Sequence, residues 1–293
     1  MRKIPCFLLL LLALTFATAL QAETHPAKQP IRIGLTAVIL DDQAAFLNKW
    51  RSYLEQHLKQ PVAFIQRGSY REITDMVRED KLDFAWVCGA PYVHNKKIFR
   101  LVAVPLYHGE PLYQSYIIVP SSDKKTLSIL DLRGKVFAFS DPDSNSGHLY
   151  LEYLLAKRGL QPASFFSKNF YTWSHLKVVE AVASGLAQGG SVDGYVWDTL
   201  SRTHPELTSL TRILIESPKF GHTPIIAGPS ASKKAIENLQ QVLFNMVNDV
   251  EGRYLLDQLN LGGFVHGNEH LYDSIANMSR FVERKRLNAS QGH

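Results

Sequence analysis

Ser144, Asn145 and Ser146 sit where the sequence turns from a strand pattern into a helix pattern. Residues 136–139 (VFAF) form an apolar, strand-like run, and residues 140–147 (SDPDSNSG) are turn and capping types. Leu149, Leu151, Tyr153, Leu154 and Leu155 then recur at helical spacing, and Lys157, Arg158 and Gly159 close the helix. The first N–H groups of a helix lack intrahelical partners. Hydroxyls beside them, with Gly147 permitting close approach, make a site for an anion that needs no charged side chain. The same residue types are also the commonest helix caps, so the turn by itself supports both readings.

Other reactive groups give less. The chain has two Cys. Cys6 falls in a leader described below, which leaves Cys88 as the only thiol of the exported chain and excludes an internal disulfide. Cys88 reads either as a small buried hydrophobe or as a thiol at the mouth of a site. The eleven His are scattered without metal-ligand spacing. There is no Gly-x-Ser-x-Gly elbow, no His-Glu-x-x-His and no phosphate-binding loop with its Lys. Ser146, His175 and Asp193 could be picked out as a triad, but nothing in the sequence supplies the elbow that would activate a serine. The reading is therefore non-enzymatic, with no metal and no cofactor.

The elements that position these groups follow from the rest of the chain. Residues 1–22 carry Arg2 and Lys3, an apolar run over 7–14 and small-residue cleavage signals ending at Ala22, which is a secretory signal peptide. About 270 residues remain, enough for two lobes with real cores. The formal charge of +5 includes Arg2 and Lys3, and no Lys/Arg run or aromatic-basic stripe points to nucleic acid. The basic residues of 280–286 lie on a helical pattern and read as a solvated face. Strand patterns at 31–36, 62–66, 82–87, 101–106 and 115–119 alternate with helix patterns at 41–60 and 70–78. This predicts α/β architecture with a mostly parallel sheet. A second series contains strands at 135–139, 211–216 and 223–227 and a helix at 175–187, after which residues 235–250, 253–258 and 269–284 read as helices. Such an order predicts two α/β lobes joined by two crossover strands, near 113–119 and 215–227. The expected division is lobe 1 at 23–116 and 222–293, and lobe 2 at 117–221. A cleft between such lobes can hinge shut on a ligand.

With these residues in view, the chain resembles the periplasmic solute-binding proteins of phosphate, phosphite and phosphonate ABC transporters. The resemblance runs from about residue 31 to residue 281. It rests on Gly68-Ser69-Tyr70, the 82–86 strand LDFAW with Tyr92 and Val93 beyond it, and YQSYIIV at 113–119. DLRGKV at 131–136, FSDPDSNSG at 139–147, the helix from His175 and Val192-Asp193-Gly194 follow in order. The resemblance implies a type II periplasmic binding fold, a periplasmic location and a monomer whose lobes close on a small oxyanion. It implies ligand contacts from Ser144, Asn145, Ser146, Tyr70 and His175, with Tyr92 and Cys88 in the facing loop and Asp193 in a family region whose spacing here differs. The partner it implies is an ABC permease. The departure is Cys88, where transport members carry a small residue. Relatives with a Cys in this region bind arsenite and serve a membrane histidine kinase, so a sensor for a thiol-reactive oxyanion is the alternative.

Overall fold

A computed structural model describes residues 28–36 and 44–291, with side chains as far as residue 288. The signal peptide expected at 1–22 lies outside the described residues, as does the start of the helix expected at 41–60. The described part of that helix, Ala44–Leu58, buries Phe46, Trp50, Tyr53 and Leu54.

Among the described residues, thirteen strands form three sheets. They are β1 Ile31–Leu35, β2 Val62–Gln66, β3 Phe84–Trp86, β4 Arg100–Leu106, β5 Leu112–Tyr113, β6 Ser115–Pro120 and β7 Val136–Phe139. There follow β8 Lys168–Tyr171, β9 Gly189–Asp193, β10 Thr211–Glu216, β11 Phe220–Gly221, β12 Ile225–Ala227 and β13 Gly263–Val265. The first lobe holds a six-stranded sheet in the order β13-β4-β12-β3-β1-β2, and the second a five-stranded sheet in the order β10-β6-β9-β7-β8. A short antiparallel ribbon, β5 with β11, lies where the chain passes between them in both directions.

The sheets are mixed rather than mostly parallel. β1 pairs in parallel with β2 and β3, but β12 runs antiparallel to both β3 and β4. In the second sheet β7 is parallel to β8 and β9, while β6 is antiparallel to β9 and β10. The physical reason is the double crossover. A strand that leaves one lobe and returns from the other enters each sheet in the opposite direction to its βα neighbours. Ser115 and Tyr116 already belong to β6 of the second sheet.

Two further features position the site. Gly190 lets the helix His175–Ala183 lie directly on β9, since a Cβ there would meet Val178 Cγ1 at 2.6 Å. The C-terminal helix, Asp273–Gln291, starts in the first lobe and crosses onto the second. There Phe281 packs edge-on against Tyr153 at 5.3 Å, and the Arg286 guanidinium pairs with buried Glu152 on the helix Tyr150–Ala156.

Candidate ligand-binding site between the lobes

β7 ends in the turn that carries the three polar residues. Ser144 has extended backbone, and its Oγ accepts the Gly147 N–H at 2.9 Å, so it is a genuine N-cap. The following turn, Asn145–Leu149, is of the wide π type, with the Leu149 N–H reaching back to the Ser144 carbonyl at 3.0 Å. Gly147 is required there, because a Cβ would overlap Ser140 Oγ at 1.7 Å. The Ser115 and Ser191 hydroxyls both donate to the Ser146 carbonyl at 2.7 Å, which ties the turn to β6 and β9. Ser144, Asn145 and Ser146 are fully buried.

His175 and Asp193 stand beside this turn. Ser174 caps the His175 helix, and the helix's close seat on β9 brings His175 Nδ1 to the Asp193 N–H, 3.0 Å away. Nδ1 therefore accepts, and the proton of the neutral ring sits on Nε2. Burial pushes His175 down to about 3. Asp193 caps the helix Gly194–Thr203, its Oδ1 accepting N–H groups from Tyr195 at 2.9 Å and Val196 at 3.4 Å. Its Oδ2 faces Ser146 Oγ at 3.5 Å. Burial pushes Asp193 up to about 8.

The first lobe closes the other side. Ser69 caps the helix Tyr70–Arg78 and so aims its first residue at the second lobe. The Tyr70 N–H donates to Asp141 Oδ2 at 3.0 Å, and the Tyr70 phenol lies 3.2 Å from His175 Nε2. Since Nε2 carries the proton, it donates to the phenol oxygen, which leaves the Tyr70 hydrogen for another acceptor. Cys88 precedes the short helix Gly89–His94, and its Sγ accepts the Asn145 N–H at 3.2 Å across the seam. The Asn145 side-chain amide donates to the Tyr113 phenol at 2.9 Å. At the rim, exposed Arg71 pairs with Asp143 at 3.0 Å.

The structure thus brings together Tyr70, Cys88, Ser144, Asn145, Ser146, His175 and Asp193. Tyr92 does not join them. It is buried within the first lobe, its ring packed edge-on against Tyr272 at 4.8 Å, because its turn of helix faces the C-terminal segment. Both readings of Cys88 describe its place: the side chain is 1 % exposed, and its sulfur lies on the seam. Burial raises its thiol above the ordinary range.

Sequence reasoning missed His222 as a member of this cluster and left Tyr113 open between cleft and core. Tyr113 lies in β5 and His222 directly follows β11, and that position at a crossing was the available signal. The His222 ring lies 5.4 Å from that of Tyr113 and 5.0 Å from that of Tyr195. Among the described residues, Asn145 Oδ1 and His222 Nε2 are buried polar atoms without hydrogen-bond partners. Among the described residues the cluster is consequently rich in neutral donors with one orphaned acceptor, Asn145 Oδ1, and the groups meeting in it include no Lys or Arg.

The model of the family described as "ABC transporter, phosphonate, periplasmic substrate-binding protein" matches residues 38–272. The chain belongs to this family. Among its relatives is the probable ABC transporter phosphite-binding protein PhnD1 of Prochlorococcus marinus strain MIT 9301. The two are 21 % identical over 252 residues, covering 82 % of this chain and 84 % of that one. A binding-protein component of a Pseudomonas aeruginosa ABC phosphonate transporter superposes with a TM-score of 0.81 at 20 % identity, over 89 % of each chain. PhnD1 solved with methylphosphonate superposes at 0.77 and 20 % identity, over 86 % of this chain and 98 % of that one. The fold is that of type II periplasmic binding proteins. The family is one of periplasmic, substrate-binding components of transport and is not an enzyme class. Among the described residues, no helix is long and apolar enough to cross a membrane.

Proposed function

We propose that this protein captures a small phosphorus oxyanion, of the phosphonate, phosphite or phosphate kind, between its lobes and delivers it to an ABC permease. The observation that carries the reading is the seam itself. A wide helix-initiating turn in one lobe presents Ser144, Asn145 and Ser146 to Tyr70 and Cys88 in the other, with contacts of 3.2 Å across it. On this reading the Asn145 N–H passes from Cys88 Sγ to the ligand. The Ser144 and Ser146 hydroxyls and the spare Tyr70 hydrogen complete the donor set, with His175 holding Tyr70 in place. Neutral donors of this kind bind an anion without a buried cation. Burial of the ligand favours the closed arrangement of lobes, and the permease would recognise that shape. The exported chain acts in the periplasm as a monomer after loss of residues 1–22.

The arsenite-sensing alternative, with a histidine kinase as partner, gains no support from the family or the relatives named above. A buried thiol held protonated is also a poor ligand for a metalloid. Thermal unfolding of the chain from Glu23 tests both readings, against methylphosphonate, 2-aminoethylphosphonate, phosphite, phosphate, sulfate and arsenite, with Cys88→Ser alongside. A ligand that binds only the folded state raises the midpoint. Stabilisation of both proteins by a phosphorus oxyanion is the expected result. Stabilisation by arsenite alone, and only with Cys88 present, would reverse the assignment.

A further inference from the structure

The site has an unusual charge balance for one that takes an anion. Asp193 is fully buried beside the Ser146 hydroxyl. The titratable and charged groups that face it are Tyr195 and Asp198 from its own helix, His175 from the neighbouring helix and Tyr116 from β6. From the first lobe they are Tyr70, Cys88, Tyr107 and Tyr113. None of these is a cation at neutral pH, His175 being neutral with its Nδ1 occupied. Asp198 is committed to the Tyr107 and Tyr116 phenols, at 2.6 and 3.1 Å. An oxyanion seated on the turn at residues 144–146 therefore meets a carboxyl group in a low-dielectric pocket without a compensating charge. Two negative groups in such a place repel strongly unless a proton lies between them.

A second observation points the same way. Asn145 donates its amide hydrogen to Tyr113, which leaves Oδ1 buried and without a donor. A fully ionised oxyanion offers only acceptors and cannot satisfy it, whereas a ligand with one P–O–H group can.

We propose that the cleft binds its oxyanion as a monoanion beside a protonated Asp193, so that dianions enter only by taking up a proton and sulfate is rejected. This rests on the oxyanion reading above and narrows its ligand class to oxyacids that hold one ionisable proton near neutral pH. The ligand's proton comes from solvent and stays on a ligand oxygen, while Asp193 keeps its own. The upward shift of the Asp193 carboxyl agrees with this, since the pocket alone already disfavours its charge.

Calorimetric titration with methylphosphonate from about pH 6 to about pH 9, in buffers of different ionisation enthalpy, counts the protons taken up. The affinity should fall about tenfold per pH unit above the second ionisation of the ligand, with one proton taken up. Above the Asp193 ionisation the wild type should take up a second proton, and Asp193→Asn should take up only one. Asn keeps an oxygen for the helix cap. Sulfate should bind at least about a hundredfold more weakly than methylphosphonate at neutral pH. Should the variant not fold, the proton count of the wild type decides the question. Affinity for methylphosphonate that does not change with pH, or sulfate binding within tenfold, would overturn the proposal while leaving the oxyanion reading in place. Failure of the wild type to bind methylphosphonate or phosphite at any pH would remove that reading first, and this one with it.

Discussion

Raising the pH from about 6.5 to about 8 should cost this protein about 1 kcal/mol of folding stability, and Asp193→Asn should abolish that loss. Stability changes with pH in proportion to the protons bound by the unfolded chain minus those bound by the folded one. Asp193 titrates at an ordinary 3.8 when unfolded but near 8 when buried. Between those values the folded state holds a proton that the unfolded state has released, so stability falls by about 1.4 kcal/mol per pH unit as pH rises. His175 and His222 behave oppositely. Each moves from 6.5 to about 3 on burial. Below 6.5 the unfolded chain binds two protons that the folded chain excludes, and stability falls on acidification by about 2.7 kcal/mol per unit. The net acid slope is about 1.4 kcal/mol per unit once Asp193 is subtracted, which places the optimum near pH 6.5. His148, also lowered by burial, steepens the acid limb, and Asp141, raised by burial, opposes it. Urea unfolding at half-unit pH steps reads the profile directly. An optimum at pH 8 or above in the wild type, or an alkaline limb unchanged in Asp193→Asn, would refute the reasoning.

Three further outcomes follow. Tyr70→Phe should lower the midpoint of unfolding, because it strands the buried His175 Nε2–H, and weaken methylphosphonate binding about tenfold or more by titration calorimetry, the worth of one hydrogen bond to a charged group. Arg286→Ala should destabilise by about 1–3 kcal/mol in urea unfolding, because it strands the buried Glu152 carboxylate, and Glu152→Gln in the same background should recover part of the loss. Gly147→Ala should abolish binding and lower the melting temperature, since its Cβ would force the Ser140 side chain out of the turn.

Much of this was legible because local chemistry and global fold agree. The strand-turn-helix around Ser144 announced itself through an apolar run, a cluster of capping residues and helical spacing, and each has the structural role its type suggests. The crossings near Tyr113 and Phe220 were readable from the order of βα units. The parts that were not legible depend on contacts between distant segments. Tyr92 and Tyr70 are both aromatic and both begin or lie within short helices, yet one faces the seam and the other faces Tyr272, which only the path of the C-terminal helix decides. The mixed strand directions come from the double crossover, which no strand encodes locally. The π turn at Asn145–Leu149 depends on Gly147 packing against Ser140, seven residues back in the chain and on the far side of the turn. Asp193 caps a helix, a common role for its residue type. Its larger consequence, a buried carboxyl without a cation, arises from helices and strands of both lobes.

A crystal structure of the exported chain with methylphosphonate tests the central claim most directly. The account predicts the phosphorus between the Tyr70 phenol and the turn at residues 144–146, with the Asn145 N–H on a ligand oxygen and Cys88 Sγ displaced from it. A ligand bound outside the seam, or one bonded to Cys88 with the Ser144 and Ser146 hydroxyls uninvolved, would contradict it.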